Sequence, residues 1–461
     1  MCTSLVLAIC AMSNAQAITL REAVAAAVKS NPDIGQAIAN REATEFELKQ
    51  ARGLFLPRAD LVADIGAEQR ENNTTVSLGT DDKTYTRKEA NFVVSQLLFD
   101  GFASEAEVER QASRVDSASF RVWERSEFIG LAVVREYLEF MRAGRVVGYA
   151  QNNLSYHRKL LGDFQEGTQG GSISIADRQQ AEERVFAAEA RILEAKEDYN
   201  AAGIRFLRLV GLPIEKPQAP GSIAGNLPRS LDDAIGLART NSPSVKIAQA
   251  DIDTAYALLK GAEAAFSPKV SAEARARIGD DVEGIEGKDN DYRVGVVVRW
   301  NLFNGGIDSA NREEQIRRVD EQRMKLHSVS REVEEAVRLS WDRRLLQKRR
   351  LVDIRKQAAT SEQLISSYAD QFGVGQRSLL DLLDTQNTRF NTLVAVETAR
   401  VATEFADYRI LAATGTLLST LGIDAPAHAN AYARADAKVP VTPVAETMPR
   451  SLLPVNLSKV N

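Results

Sequence analysis

Cysteine is almost missing from this chain: it has two, Cys2 and Cys10, both within the first ten positions. The body of the protein therefore has no thiol for a disulfide or a thiolate metal site. Histidine is as scarce. His157, His327 and His428 are scattered, with no Cys to join them, so neither a metal nor any other cofactor is expected. Aromatic residues make up only 6% against 26% charged residues, a balance that leans towards long helices and coiled coils. There is no basic excess either. The formal net charge is -5, which offers nothing to attract nucleic acid. No nucleophile elbow or phosphate loop is present, and Gly305-Gly306 reads as a strand-to-helix bend. The chain is not expected to be an enzyme. Outside the N-terminus no stretch stays apolar for the roughly 18 residues that a membrane helix needs, so a place in a bilayer would require β-strands.

The opening residues are an apolar run followed by small side chains. Ala15-Gln16-Ala17 gives an A-x-A cleavage site, so 1–17 reads as a signal peptide with Ile18 as the mature start. No Lys or Arg precedes its apolar core, which points to a start codon further upstream. Leu7-Ala8-Ile9-Cys10 has the outline of a lipoprotein box, but the bulky Ile before the Cys argues against lipidation.

What is present is one unit written twice. Thr19-Leu20-Arg21-Glu22 recurs as Ser230-Leu231-Asp232-Asp233, each a capping box with a hydroxyl at the N-cap and a carboxylate three residues on. Asn31-Pro32 recurs as Ser242-Pro243. Lys49, Ala51, Phe55 and Pro57 recur as Lys260, Ala262, Phe266 and Pro268, and Leu98-Phe99-Asp100-Gly101 as Leu302-Phe303-Asn304-Gly305. Gly171 and Asp177 recur as Gly375 and Asp381. The boundaries implied are repeat 1 over 18–211, a linker over 212–228, repeat 2 over 229–424 and a flexible tail over 425–461. Each repeat reads as helix, strand, loop, strand, long helix, turn, long helix.

The strand segments alternate with period 2. After Pro268, Val270, Ala272, Ala274, Ala276 and Ile278 alternate with Lys269, Ser271, Glu273, Arg275 and Arg277. The returning segment places Tyr292, Val294, Val296, Val298, Trp300 and Leu302 on one face. Copy one does the same with Leu61, Ala63, Ile65 and Ala67, and then with Ala90, Phe92, Val94 and Leu98, broken by Gln96. Strands are expected over about 59–68, 89–99, 269–278 and 292–302. A membrane β-strand needs about 9–11 such residues, one face to lipid and one to a polar lumen. Tyr292 and Trp300 lie about 26 Å apart along a strand, a spacing that suits two aromatic girdles. Alternation alone fits hairpins on a soluble core equally well. Against that, four strands are too few for a large soluble sheet. They are also too few to close a barrel, and an open edge is not tolerated in lipid. Strands in a membrane would therefore have to be pooled among several chains.

The helices are too long for a compact domain. From Ala103 to about 165, and again from Ile307 to about 372, no proline interrupts the pattern. Each run would span roughly 95 Å at about 1.5 Å per residue. Return helices over about 173–210 and 379–421 follow Gly-containing turns at 166–171 and 373–376. Helices with a narrow apolar stripe need partner helices on one side and water on the other.

Three groups of residues carry a family resemblance. They are Ser95-Gln96-Leu97-Leu98-Phe99-Asp100-Gly101, Val298-Arg299-Trp300-Asn301-Leu302-Phe303-Asn304-Gly305-Gly306, and Val374-Gly375-Gln376-Arg377-Ser378-Leu379-Leu380-Asp381-Leu382-Leu383-Asp384. With Ser30-Asn31-Pro32 and 51–57, in this order and with the repeat, the chain resembles the TolC family of outer-membrane efflux and type I secretion proteins over about 18–424. The resemblance implies a mainly α fold with membrane β: a homotrimeric channel-tunnel with a shared twelve-stranded β-barrel, four strands from each chain, in outer-membrane lipid, and a long α-helical barrel in the periplasm. It implies passive export, with a periplasmic adaptor protein and an inner-membrane ABC exporter or proton-driven pump as partners. Type I protein secretion is the expected role, since many drug-efflux relatives are lipoproteins. Multidrug or metal efflux is the alternative, and a soluble periplasmic coiled-coil scaffold is a third reading. Asp381 and Asp384 match the family's acidic pair at the periplasmic gate, where three copies would form two carboxylate rings. Asp177 and Arg377 match positions in the tip contacts that keep the entrance shut. A plainer reading stays open. Ser378-x-x-Asp381 and Ser174-x-x-Asp177 both fit capping boxes. Asp384 does not, and it sits one turn from Asp381, where like charges repel. Copy one has Gln180 at that position.

Overall fold

A computed structural model describes residues 18–169 and 174–443. The expected signal peptide with both cysteines, the turn residue Gly171 and the last part of the expected tail lie outside the described residues. The order is α1 (Leu20–Ser30), α2 (Pro32–Gly53), β1 (Arg58–Glu68), α3 (Asn73–Leu78), β2 (Tyr85–Phe99), α4 (Ala103–Gln169) and α5 (Ile175–Val210). Repeat 2 follows as α6 (Leu231–Asn241), α7 (Pro243–Glu263), β3 (Lys269–Asp280), β4 (Lys288–Arg299), α8 (Ile307–Gly373) and α9 (Leu379–Ala413). Two one-turn helices, α10 (Leu417–Thr420) and α11 (Ala433–Asp436), complete it. The helices of 67 residues, α4 and α8, are twins in the two repeats.

The chain divides into two compact units. A helical unit gathers the residues up to Ile38 with Phe120–Val245 and Val329–Ala429. A sheet unit gathers Ala39–Ser119, Lys246–Ser328 and the residues from Asn430 on.

In the helical unit, α1 starts on the expected capping box: the amides of Thr19 and Glu22 are each held by the other's side chain. Its stripe of Leu20, Ala23, Val24, Ala27 and Val28 is buried against α4, α5 and α9 around Tyr137, Phe206 and Tyr408. The last helix does not run unbroken to 421 as the periodicity suggested. It stops at Ala413, and Gly415 turns the chain with φ +67°. A Cβ there would stand 2.9 Å from the Asn241 carbonyl oxygen, so only glycine passes this close to the α6–α7 break. The turn delivers Leu417 and Leu418 of α10 into the core.

In the sheet unit, all four strands form one antiparallel sheet in the order β1-β2-β3-β4. β4 starts and ends earlier than expected, and β2 begins at Tyr85, four residues earlier than expected. The loop before β2 is not irregular: Asn72 caps α3 through the amides of Thr74 and Thr75. The expected flexible tail is anchored at particular points within its described part. Within 430–443, Ala433 is buried against Leu48, Ala112 and Val115, with Tyr432, Ala437 and Val439 partly buried beside it, while most of the other residues stay exposed. The Arg434 side chain is buried between Asp116 (2.9 Å) and Asp253 (2.6 Å). Asp116 also accepts the amides of Tyr432 and Ala433, and Asp253 accepts the amide and hydroxyl of Thr442. An Ala-, Pro- and Val-rich composition without periodicity hides such an anchor, because it rests on one arginine and two carboxylates distant in sequence.

Candidate functional site: an apolar sheet and a helical entrance

The register of the sheet sorts its side chains. Residues directly opposite one another share a face. One face carries the rows Leu61, Phe92, Ala276, Tyr292 and Ala59, Val94, Ala274, Val294. The other carries Asp60, Val93, Arg275, Arg293 and Val62, Asn91, Arg277, Asp291. A β-bulge between Leu97 and Phe99 then passes the apolar position from Leu98 to Phe99, which pairs with Val270. Gln96 does interrupt the apolar face, and its amide is spent on the Phe55 and Leu97 carbonyls.

The apolar face is bare. Val294 is 86% exposed, Ile65 71% and Leu61 70%. A soluble monomer rarely leaves so continuous an apolar surface uncovered. On the opposite face many of the charges are paired: Arg87 reaches Asp64 and Glu68, Arg299 reaches Glu273, and Arg277 reaches Asp289. β1 and β4 have no further strand beside them among the described residues. Of the two expected girdle residues, Tyr292 lies in β4 on the apolar face. Trp300 lies one residue past the strand end, and its indole donates to the Phe266 carbonyl (3.2 Å). At the other end of the sheet the loops of the two repeats touch: Thr80 donates to the Gly284 carbonyl (2.9 Å), and Thr75 and Val282 are buried.

The helical unit holds the expected gate residues. α8 ends in a tight turn at Gly375 (φ +76°), and α9 starts at Ser378. Asp381 is engaged in the plain way: Ser378 Oγ donates to its carboxylate (2.8 Å) while the Asp381 amide donates to Ser378 Oγ (3.2 Å). Asp384 lies one turn on and faces Arg184 of α5 at 3.7 Å. Arg184 was not singled out in the sequence, where it is one of many charges on a long helix.

Asp177 and Arg377 are not brought together within the chain, among the described residues. Asp177 closes its own helix start on Ser174, whose hydroxyl donates to it at 2.7 Å. Arg377 is held by its own hairpin: it lies over the Tyr368 ring at 4.3 Å, donates to Gln371 (2.8 Å) and stands 3.9 Å from Asp381. What joins the two helical pairs instead is apolar. Leu160 and Phe164 of α4, Ala181 of α5, Ile365 of α8 and Leu379, Leu382 and Leu383 of α9 form one buried cluster. Phe164 meets Phe372 at 5.6 Å between ring centres.

Beside this cluster lies a buried polar layer that sequence reasoning passed over. Gln386 of α9 donates to Asn153 of α4 at 2.8 Å, and His157 sits one turn along the same helix. His157 Nδ1 and Gln386 Oε1 have no hydrogen-bond partner among the described residues. Burial and the nearby Arg184 push the His157 pKa down to about 4. The scattered histidine was a layer in a coiled coil, and only its i, i+4 spacing from Asn153 could have signalled it. The described residues hold no cluster suited to a metal ion, and no described helix is long and apolar enough to cross a membrane.

Comparison with known proteins decides the family. Residues 23–212 and 234–416 match the model of the outer membrane efflux protein family, one match in each repeat. The chain belongs to that family. It is 25% identical over 329 residues to the outer membrane efflux protein BepC of Brucella suis, covering 70% of this chain and 71% of BepC. It is 23% identical over 397 residues to the proteases secretion protein PrtF of Dickeya chrysanthemi, covering 82% and 84%. Among solved structures, the Campylobacter jejuni CmeC outer membrane channel superposes with a TM-score of 0.76 at 15% identity, covering 86% of each chain. The fold is thus a TolC-like channel-tunnel, mainly helical with a small membrane sheet, and the protein is an outer-membrane component and not an enzyme.

Proposed function

We propose that three copies of this chain share one twelve-stranded barrel in the outer membrane and form a passive duct for type I protein secretion, fed by an inner-membrane ABC exporter through a periplasmic adaptor. The observation that carries the reading is the open, four-stranded sheet with one apolar, exposed face and two unpaired edges. Lipid does not tolerate such edges, and pooling strands from several copies removes them. The secretion role draws on the likeness to PrtF, named for protease secretion. A second reading, a drug or metal efflux duct with a proton-driven pump, is favoured by the higher identity to BepC, which is named an efflux protein.

At the periplasmic entrance, Asp381 and Asp384 supply two carboxylate rings that favour cations. Asp381 caps its helix as well, which holds the carboxylate in place. Asp177 and Arg377, each satisfied within its own helical pair, meet only across neighbouring copies. The test is conductance in planar bilayers. Replacing both carboxylates (Asp381→Asn with Asp384→Asn) is expected to weaken block by a trivalent cation at least tenfold. Unchanged block removes the ring assignment.

A further inference from the structure

The sheet carries charge where a lipid-facing surface should not. Along the apolar face the row after Ala63, Ala90, Ile278 and Asn290 is Ile65, Lys88, Asp280 and Lys288. Two lysines therefore stand on the same face as Phe92, Val94, Val294 and Val296. Lys88 is 3.6 Å from Asp280. The Lys288 side chain makes no ion pair or hydrogen bond among the described residues, and the residue is exposed. Between these two rows lies an open recess of about 580 Å³. On this face it is lined by Ala63, Ala90 and Ile278 in one row and by Lys88, Asp280 and Lys288 in the next, with Asn290 beside them; Asp64 and Glu89, whose positions belong to the opposite face, also border it.

The height of this row follows from β4. Lys288 is twelve residues from Trp300, or about 40 Å along an extended chain. At a tilt of about 40° that is roughly 30 Å along the membrane normal, against an apolar band about 25 Å tall. The lysines thus stand just outside the hydrocarbon, on the side of the long loops, at the depth of lipid head groups. A lysine there costs little, and it attracts anionic head groups. A recess with an apolar floor towards the bilayer centre and cations at its outer rim matches a molecule with acyl chains below and phosphate above.

We infer that Lys88 and Lys288, with the recess beneath them, bind the phosphate group of an outer-leaflet lipid, whose acyl chain lies over Ala63, Ala90 and Ile278. This rests on the membrane reading of the sheet. Asp280 weakens the site by holding Lys88, so its charge sets the affinity.

The experiment uses the full protein purified from outer membranes in mild detergent at low salt. The probes are a phosphorylated glucosamine lipid, the same lipid with its phosphates removed, and inorganic phosphate. Binding is read by native mass spectrometry, which also counts the chains in each particle. The phosphorylated lipid is expected to bind the wild type. Lys88→Gln with Lys288→Gln should weaken it five- to tenfold, and Asp280→Asn should tighten it severalfold. The opposite sign of the Asp280 change keeps the test decisive if the lysine variant folds poorly. Equal binding of the dephosphorylated lipid, an indifferent double variant, or competition by millimolar inorganic phosphate would overturn the assignment, the last by showing a site for soluble anions. Absence of the protein from outer membranes would instead strike the membrane reading itself.

Discussion

Arg434 is the residue whose loss should be felt most locally. Its guanidinium joins Asp116 of α4 to Asp253 of α7, and all three side chains are more than nine-tenths buried. Truncation to Ala leaves two carboxylates in a site closed to water. Breaking a buried pair by removing one partner costs about 3–5 kcal/mol. Here Asp116 keeps the Tyr432 and Ala433 amides, and Asp253 keeps Thr442, so the low end applies, about 3 kcal/mol. That corresponds to roughly a hundredfold in the equilibrium for local opening. Hydrogen exchange on the detergent-extracted protein reads it directly: the Tyr432, Ala433 and Thr442 amides should exchange about a hundredfold faster. Adding Asp253→Asn should recover part of the loss, since one stranded charge is then gone. Exchange altered less than about threefold would refute the claim that this ion triad anchors the segment.

Two buried groups in the helical unit give opposite pH dependences. Glu127 is pushed up to about 7 by burial, with one carboxylate oxygen unpartnered. Its folded form holds a proton that the unfolded chain releases, so stability falls as pH rises from about 4.5 to 7, by about 3 kcal/mol. His157, lowered to about 4, stays neutral while the unfolded chain protonates, so stability falls by a similar amount as pH drops from about 6.5 to 4. The two contributions should therefore nearly cancel each other across this range. Glu127→Gln should lose stability towards acid and His157→Gln towards neutral pH, as followed by denaturant unfolding; parallel profiles would contradict both assignments. Gly101→Ala should destabilise more than Gly305→Ala. Both have positive φ, worth about 1–2 kcal/mol, but only at Gly101 would a Cβ stand 2.4 Å from Ser267 Cβ. Equal losses would show that this contact relaxes freely.

The parts of the fold that were legible in the sequence were those with a local period or a repeated cap. Thr19-x-x-Glu22 and Ser378-x-x-Asp381 declared their helix starts, and alternation from Val270 to Ile278 declared a strand with two unlike faces. The register then placed the alternating residues of both hairpins on one surface, which alternation within each strand could not do. The site was less legible. Asp177 and Arg377 were paired only because both match positions in the family's tip contacts, and within the chain each finds its donors and acceptors in its own helical pair. Arg184 and Arg434 act through contacts between residues far apart in sequence, and nothing in their local pattern sets them apart from solvated charges; Gln386 meets Asn153 only across two helices, and His157 was signalled by nothing but its spacing from Asn153. The lysines at 88 and 288 gained meaning only when pairing put them in one row.

The most direct test of the central claim is particle mass by light scattering, corrected for bound detergent, on protein extracted from outer membranes. Three chains per particle is the result predicted by a sheet with two open edges. A monomer released without detergent would mean that the apolar face is not covered by lipid, and the shared barrel would have to be abandoned.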